Sequence, residues 1–369
     1  MKRIHLLRGL LSRRSAFTGP YYVDVEVTRR CNMYCVGCQF HSSKTSGTAP
    51  GDHGVKDISI DMVERLGRDF AGLGVREVII IGEGEPLLHP RLFDIVAIFK
   101  RAGCTVQIFT NGTLIDENVA EAILDSGLDI LKVSLWANNQ VDYEKNHPGV
   151  NPDNFRKTRE GAGRVVELKK ARGVRRPKVI LTQPLNRYNY RGIGERIDLA
   201  RSLGCDGLRF SCFNAWQDEF SDADLTEEDL PILRKDLTEA KNHLASLGME
   251  HNIDNVLLRY DWGATAFRKI PCYAGWFYTR IKVDGTVLPC GFCYLSMGNL
   301  NETGFKQIWH GAPYASFRAE SSTVNGLSSL GSNSNCRWCC FLEDNLRVHS
   351  KMRWLAPWRA LERPPGKEP

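Results

Sequence analysis

The sequence has no long apolar run and little net charge. No stretch approaches the ~20 apolar residues that a membrane-spanning helix needs, and residues 1–20 lack the unbroken apolar segment of a signal peptide. We therefore expect a cytoplasmic protein. The formal net charge is +6, and the middle of the chain is nearly balanced. This balance argues against a nucleic-acid groove through the core.

Zinc-finger spacing is also absent around the first cysteines, although the chain has 12 cysteines in all. Cys31, Cys35 and Cys38 have the spacing C-x3-C-x2-C and directly follow the apolar run Tyr21–Thr28. Three close thiolates suit a soft metal centre, and they leave one iron of a [4Fe-4S] cube without a protein ligand. The alternative is three ordinary cysteines that lie together by chance.

Apolar strand-like segments alternate with amphipathic helical ones through the first two thirds of the chain. The predicted strands are residues 21–28, 77–81, 105–110, 130–136, 178–182 and 207–213, and the helices that follow them are 59–73, 91–102, 117–125, 154–170, 193–202 and 226–247. Such a rhythm predicts a parallel sheet covered by helices, either open or closed as a barrel. Ligands of such sheets bind at the carboxyl ends of the strands, where the cysteine loop is expected.

The second predicted strand ends in Gly82-Glu83-Gly84-Glu85-Pro86. A cysteine loop followed one β/α unit later by this segment resembles the radical S-adenosylmethionine (SAM) superfamily. The resemblance covers about residues 21–214 and implies a partial (β/α)6 barrel. It also implies that the open iron chelates SAM, and that one electron cleaves SAM to a 5′-deoxyadenosyl radical, which takes a hydrogen atom from the substrate.

The resemblance assigns SAM-binding roles to residues at the strand ends. These are Gly82, Gly84, Glu85, Pro86, Asn111 and Ser134, with Thr182 and Arg209 as weaker candidates. Without the motif, Asn111 would be interpreted as a turn residue and Ser134 as a partner of a nearby backbone group. Two departures from the family pattern are Glu83, where a second glycine is common, and Gly37, where an aromatic residue often precedes the third cysteine.

The carboxyl-terminal third carries a second group of cysteines. Gly285 and Cys290 form a Gly-x4-Cys arrangement on a predicted hairpin, residues 278–289. This arrangement resembles the twitch or SPASM extension of radical SAM enzymes, although the run C-x2-C-x5-C-x3-C is missing. The implied ligands of an auxiliary [4Fe-4S] cluster are Cys272, Cys290, Cys336 and Cys339. A structural zinc is the alternative, since spacing alone does not separate zinc from iron–sulfur.

The resemblance implies an oxidoreductase or epimerase that acts on a carbinol carbon of a carbohydrate or aminocyclitol. Cys212, Cys293 and Cys340 are candidate hydrogen-atom donors for epimerisation. A flavodoxin- or ferredoxin-type protein is the expected electron donor. Two alternatives are modification of a ribosomally made peptide and a nonenzymatic iron–sulfur electron carrier.

The expected domains are a basic segment 1–20, a core barrel 21–250, an auxiliary cluster domain 251–345 and a basic aromatic tail 346–369. Residues 254–271 are expected to be irregular, and 321–334 to form a loop. The basic ends combine Lys and Arg with Leu and Trp. They are expected either to pack against the core or to contact an anionic membrane surface.

Overall fold

A computed structural model describes residues 2–42, 54–213, 218–330, 336 and 339–355. The strands are β1 Tyr22–Glu26, β2 Glu77–Ile81, β3 Thr105–Thr110, β4 Ile130–Ser134, β5 Lys178–Leu185, β6 Gly207–Cys212, β7 Glu250–His251, β8 Tyr278–Ile281, β9 Thr286–Leu288 and β10 Gly298–Asn299. The α-helices are α1 Lys2–Ser12, α2 Ile60–Leu73, α3 Leu92–Arg101, α4 Glu117–Asp125, α5 Gln140–Asn146, α6 Asn154–Ala171, α7 Ile193–Ser202, α8 Asp229–Ser246, α9 Ile253–Trp262, α10 Ala274–Phe277, α11 Phe305–His310, α12 Ala312–Ser321, α13 Val324–Ser329 and α14 Leu342–Leu355. Short 3₁₀ helices span Pro86–Leu88, Asp218–Ala223 and Gly263–Arg268.

The chain divides into two compact units. The large unit comprises residues 26–60 and 79–257, and the small unit comprises residues 1–25, 61–78 and 258–369.

The large unit is built on strands in the order β2-β3-β4-β5-β6-β7, and the pairs from β3 to β7 are parallel. Residues such as Ile108, Leu131 and Val133 are fully buried, because both faces of a parallel sheet are covered. Ser134 is paired in register with Thr182, which is paired with Arg209. Paired residues point to the same face, so these three side chains form one row.

The small unit contains strands in the order β10-β9-β8-β1, with β1 parallel to β8 and β8 antiparallel to β9. The predicted hairpin is therefore present. Its turn depends on Gly285, whose φ of +84° favours glycine. The buried rings of Trp309 and Tyr314 pack at a centroid distance of 4.8 Å, and the buried Arg318 guanidinium lies over Trp309.

The prediction of a mixed α/β fold with a parallel sheet is confirmed, and the six predicted strands correspond to β1 to β6. Two local predictions are wrong. Residues 254–271 are mostly helical, because Ile253, Val256 and Tyr260 bury one helical face. Part of the expected loop 321–334 is α13, where Thr323 caps the helix by accepting from the Gly326 amide and Leu327 is buried.

The amino-terminal helix α1 packs within the small unit. Leu10 is buried, and a Cβ added at Gly9 would touch the Trp276 ring of α10. Ile4 and Leu11 are exposed. The basic tail beyond residue 355 lies outside the described residues. Within the described part of the chain, no helix has the length and apolarity needed to cross a bilayer.

Candidate functional site

The loop that carries the first three cysteines is fixed by backbone hydrogen bonds. The Cys38 amide donates to the Cys35 carbonyl at 3.1 Å, and the Val36 amide donates to the Asn146 carbonyl at 2.9 Å. The His41 amide donates to the Cys38 sulfur at 3.3 Å. An N–H donor aimed at sulfur stabilises the thiolate form, which is the form that ligates metal.

The three thiols lie close enough to influence one another. Burial raises the pKa of Cys35, and the neighbouring charges of Cys38, Cys31 and Glu85 raise it further. Burial also raises the pKa of Cys31 to about 11. The metal-free thiols therefore hold their protons at neutral pH, and metal binding must release them.

The segment Gly82–Pro86 packs directly on the backbone that leads into the cysteine loop. The Glu85 amide donates to the Arg30 carbonyl at 2.7 Å, and the Gly84 amide donates to the Thr28 carbonyl at 3.1 Å. A Cβ added at Gly84 would lie 2.5 Å from the carbonyl carbon of Arg30. Glycine is therefore required here for contact between two backbone segments of the protein.

The Glu85 carboxylate is buried and joins two strand ends. It accepts from the Thr110 hydroxyl at 2.6 Å, the Asn111 amide at 2.7 Å and the Leu87 amide at 3.1 Å. Burial raises its pKa, and the hydrogen bond from the Asn111 amide opposes this shift. Glu85 thus positions Asn111, the other residue of this pair that the sequence analysis assigned to SAM binding.

A polar chain continues from Asn111 into the cysteine loop. The Asn111 side-chain amide donates to Asn32 Oδ1 at 2.8 Å, and Asn32 Nδ2 donates to the Thr113 hydroxyl at 2.8 Å. The sequence analysis missed Asn32 and Thr113. Their polar character beside Cys31 and Asn111 was the available signal.

The Phe213 ring lies directly against Gly37, the residue before the third cysteine. Gly37 has φ +69°, and a Cβ there would lie 2.7 Å from Cε2 of Phe213. The Phe213 ring meets Trp136 edge to face at a centroid distance of 6.5 Å, and Trp136 Nε1 donates to the Ser134 hydroxyl at 2.8 Å. Ser134 is therefore held by Trp136 in a fixed orientation.

Glu83, the residue that departs from the family pattern, forms an ion pair with Arg29. Arg29 Nε lies 2.9 Å from Glu83 Oε2, and the two side chains are 13% and 3% exposed. The pair ties the end of β2 to the residue two positions before Cys31. It gives Glu83 a structural reason to stand where glycine is common.

A second group of cysteines surrounds an apolar chamber in the small unit. The thiols that line it belong to Cys272, Cys290, Cys293, Cys336 and Cys339, and three phenylalanines supply much of the remaining wall, namely Phe292, Phe317 and Phe341. Burial raises the pKa of Cys272 to about 12, and the nearby Cys336 thiol adds to the shift. The four predicted auxiliary ligands thus lie around one chamber with Cys293.

The other two spare thiols are not among the described residues that line the chamber. Cys340 lies near the charges of Arg259, Asp24 and Arg280 in the small unit, and its own charge acts on Cys290 and Cys339. Cys212 ends β6 in the large unit and is 7% exposed. Cys104 and Cys205 are buried, as small apolar side chains are.

The donor chemistry of both groups fits iron–sulfur clusters. Within the described residues, no three His, Cys, Asp or Glu side chains form a group that would hold a metal ion. A [4Fe-4S] cube is wider than one ion and holds its thiolates farther apart. Groups of three and of five thiols in largely buried surroundings match what such clusters need from a protein.

Two known families match this chain. Residues 25–181 match the Radical SAM superfamily, and residues 272–341 match SPASM, an iron–sulfur cluster-binding domain. The AdoMet-dependent heme synthase of Methanosarcina barkeri is 27% identical over 309 residues, 79% of this chain and 83% of that protein. The PqqA peptide cyclase of Gluconobacter oxydans is 25% identical over 302 residues, 80% of this chain and 77% of that protein.

Solved structures show the same fold at low identity. SuiB of Streptococcus suis bound to S-adenosylmethionine superposes with a TM-score of 0.63 at 17% identity, and the match covers 88% of this chain and 75% of that chain.

Proposed function

Since this chain is a radical SAM enzyme with a SPASM iron–sulfur domain, we propose that Cys31, Cys35 and Cys38 ligate the [4Fe-4S] cluster that binds SAM. The observation that carries the proposal is the polar chain from Glu85 through Asn111 into the cysteine loop. It holds amide and carboxylate groups beside three thiols that leave one iron open. A nonenzymatic electron carrier has no need of such groups.

A [4Fe-4S] cluster held by these cysteines would supply the one electron that cleaves SAM, and the resulting 5′-deoxyadenosyl radical would abstract a substrate hydrogen atom. The chain positions SAM for this step. Glu85 offers its remaining acceptor capacity to the SAM ammonium group, and Asn111 offers an amide to the carboxylate. Ser134, Thr182 and Arg209 line one face of neighbouring strands, where short polar groups and a cation meet ribose and carboxylate oxygens.

The backbone of the glycine-containing segment completes the proposed SAM site. Gly82 and Gly84 keep the segment close to the cysteine loop, and Pro86 starts the 3₁₀ helix that follows Glu85.

The proposed electron donor to the SAM-binding cluster is a flavodoxin- or ferredoxin-type protein.

We propose that the SPASM domain holds one auxiliary [4Fe-4S] cluster that accepts the electron left on the substrate after hydrogen abstraction. Loss of one hydrogen atom, one electron and one proton is a two-electron oxidation. Cys293 lines the auxiliary chamber together with the proposed cluster ligands, so it is a poor hydrogen-atom donor. Cys212, at the end of β6, and the exposed Cys340 are the donors that epimerisation would require.

A carbinol carbon of a carbohydrate or aminocyclitol is the proposed site of oxidation. The second candidate is a larger substrate, a tetrapyrrole or a peptide. It is favoured by the heme synthase and the peptide cyclase, each of which aligns with about four fifths of this chain.

The experiment begins with reductive SAM cleavage by the reconstituted protein. Dithionite and SAM should yield 5′-deoxyadenosine and methionine, and a variant with all three loop cysteines changed to alanine should yield neither. Cleavage by that variant would overturn the cluster assignment. No cleavage by the loaded wild-type protein would instead support an electron carrier.

The substrate class is tested with carbohydrate, tetrapyrrole and peptide panels. The true class should stimulate 5′-deoxyadenosine formation and give a product lighter by two hydrogens. Uptake of one solvent deuterium into a product that otherwise has the composition of the substrate, lost in Cys212→Ala or Cys340→Ala, would instead demonstrate epimerisation.

A further inference from the structure

The auxiliary chamber holds one thiol more than a [4Fe-4S] cube needs. Five cysteines line it, whereas a cube with a complete protein shell takes four. Cys293 is among the five and is 4% exposed. Cys340, next to Cys339 in sequence, lies near enough for its charge to act on Cys290 and Cys339, but it is not among the described residues that line the chamber. One of these five thiols is therefore surplus to a single cube.

Three of the five form a mutually close triangle. The thiols of Cys272, Cys336 and Cys339 lie near enough for each charge to act on the other two. The side-chain amide of Asn345 reaches two of them, at 4.0 Å from the Cys272 sulfur and 3.9 Å from the Cys339 sulfur. Such N–H donors orient metal-ligating thiolates.

Asn345 is itself fixed. Its Oδ1 accepts from the Tyr273 amide at 2.7 Å, so its Nδ2 is turned toward the sulfurs. The same Asn345 amide therefore faces both Cys272 and Cys339.

The other two thiols belong to one turn and approach different edges of the triangle. The Cys293 amide donates to the Cys290 carbonyl at 3.2 Å, which closes the turn. Cys290 interacts with Cys340 as well as with Cys272 and Cys339, whereas Cys293 interacts with Cys336 and Cys272. Either thiol thus has two members of the triangle as neighbours, and the spacing C-x2-C lets one short turn present both.

We propose that Cys290 and Cys293 are alternative fourth ligands of a single auxiliary [4Fe-4S] cluster, completed in either case by Cys272, Cys336 and Cys339. The proposal rests on the auxiliary cluster proposed above. Exchange breaks one iron–sulfur bond and forms another at the same iron. The proton leaves the incoming thiol for the outgoing thiolate, and no oxidation state changes.

The test uses full-length protein in which the three loop cysteines are alanine, purified anaerobically. This background should hold about four irons, the content of one cube. Cys290→Ala and Cys293→Ala, each added singly, should keep about four irons and resist brief ferricyanide oxidation. The double variant should lose the cluster, or hold an open cube that releases one iron on the same treatment.

Two controls separate ligation from folding. Cys340→Ala should behave as the background does, and Cys339→Ala should resemble the double variant although both turn thiols remain. Cys290→Ser should give the same electron paramagnetic resonance spectrum as Cys290→Ala, because the Cys293 thiolate then holds the iron. Circular dichroism of every variant should match the background.

Iron loss or ferricyanide sensitivity in Cys290→Ala or in Cys293→Ala alone would overturn the inference, because that thiol would then have no substitute. A double variant that keeps a resistant cube would overturn it too. Zinc or no metal in the background would remove the auxiliary cluster itself, and the inference with it, while leaving SAM cleavage by the wild-type protein intact.

Discussion

Replacing Gly84 with alanine should break the support of the cysteine loop. The added Cβ would lie 2.5 Å from the Arg30 carbonyl carbon and 2.8 Å from that of Arg29. Both are backbone atoms, so one segment must move by roughly 1 Å, a strain of about 1–3 kcal/mol. The hydrogen bonds of the Gly84 and Glu85 amides would be lost, at about 1 kcal/mol each. Alanine also lowers the conformational entropy of the unfolded chain, which offsets about 0.5–1 kcal/mol of this loss in stability.

The expected net loss in the free energy of unfolding of Gly84→Ala is about 2–4.5 kcal/mol. Urea denaturation of the apoprotein measures this loss, and iron analysis should show that the loop cluster no longer assembles fully. Gly194→Ala is the matched control, since a Cβ at Gly194 meets nothing within 4 Å and should stabilise α7 by about 0.5–1 kcal/mol. Equal stability and equal iron in Gly84→Ala and wild type would refute the backbone contact.

Three further predictions follow from side-chain contacts. Asn345→Asp keeps an acceptor but removes the N–H donors to sulfur, so the auxiliary cluster's midpoint potential should fall, as redox-titrated resonance spectra would show. The pKa of Cys31 rises from 9.0 to about 11 on folding, so the apoprotein should lose stability as pH increases from about 9 to 11, less steeply in the loop-cysteine triple alanine variant. Glu83→Gln removes the carboxylate charge that lies 2.9 Å from Arg29 Nε and should cost about 3 kcal/mol. Glu160→Ala, which breaks an exposed pair, should cost at most about 1 kcal/mol, and equal losses on urea denaturation would contradict burial of the first pair.

The strands could be predicted because their signal is local. Continuous apolar runs such as 78–81 become β2, and the predicted α4 and α7 have the observed bounds, 117–125 and 193–202. The cysteine spacing and the residues at the strand ends were equally visible, since each motif lies within a few positions. The helix α13 was predicted as a loop because it is rich in Ser, Asn and Gly, which are weak helix formers. It is helical because Leu327 is buried and Thr323 caps its start.

Contacts between positions far apart in the chain could not be predicted from the sequence. Asn32 and Asn111 are 79 residues apart and share a hydrogen bond, and Phe213 fills the space beside Gly37 from the far end of β6. Periodicity specifies which face of an element is buried, but not which residue of another element meets it. For the same reason, the sequence could not show which of the six carboxyl-terminal cysteines ligate the auxiliary cluster. Their spacing does not reveal which thiols face one chamber.

Glu85 illustrates how one residue can serve both the fold and the proposed chemistry. An ionised carboxylate offers about four acceptor positions, and the Thr110 hydroxyl and the amides of Leu87 and Asn111 occupy three. One position remains for the SAM ammonium group. Because burial raises the pKa of Glu85, an arriving cation also stabilises the ionised form that these three donors require. SAM binding and the alignment of Asn111 should therefore support each other through this one side chain.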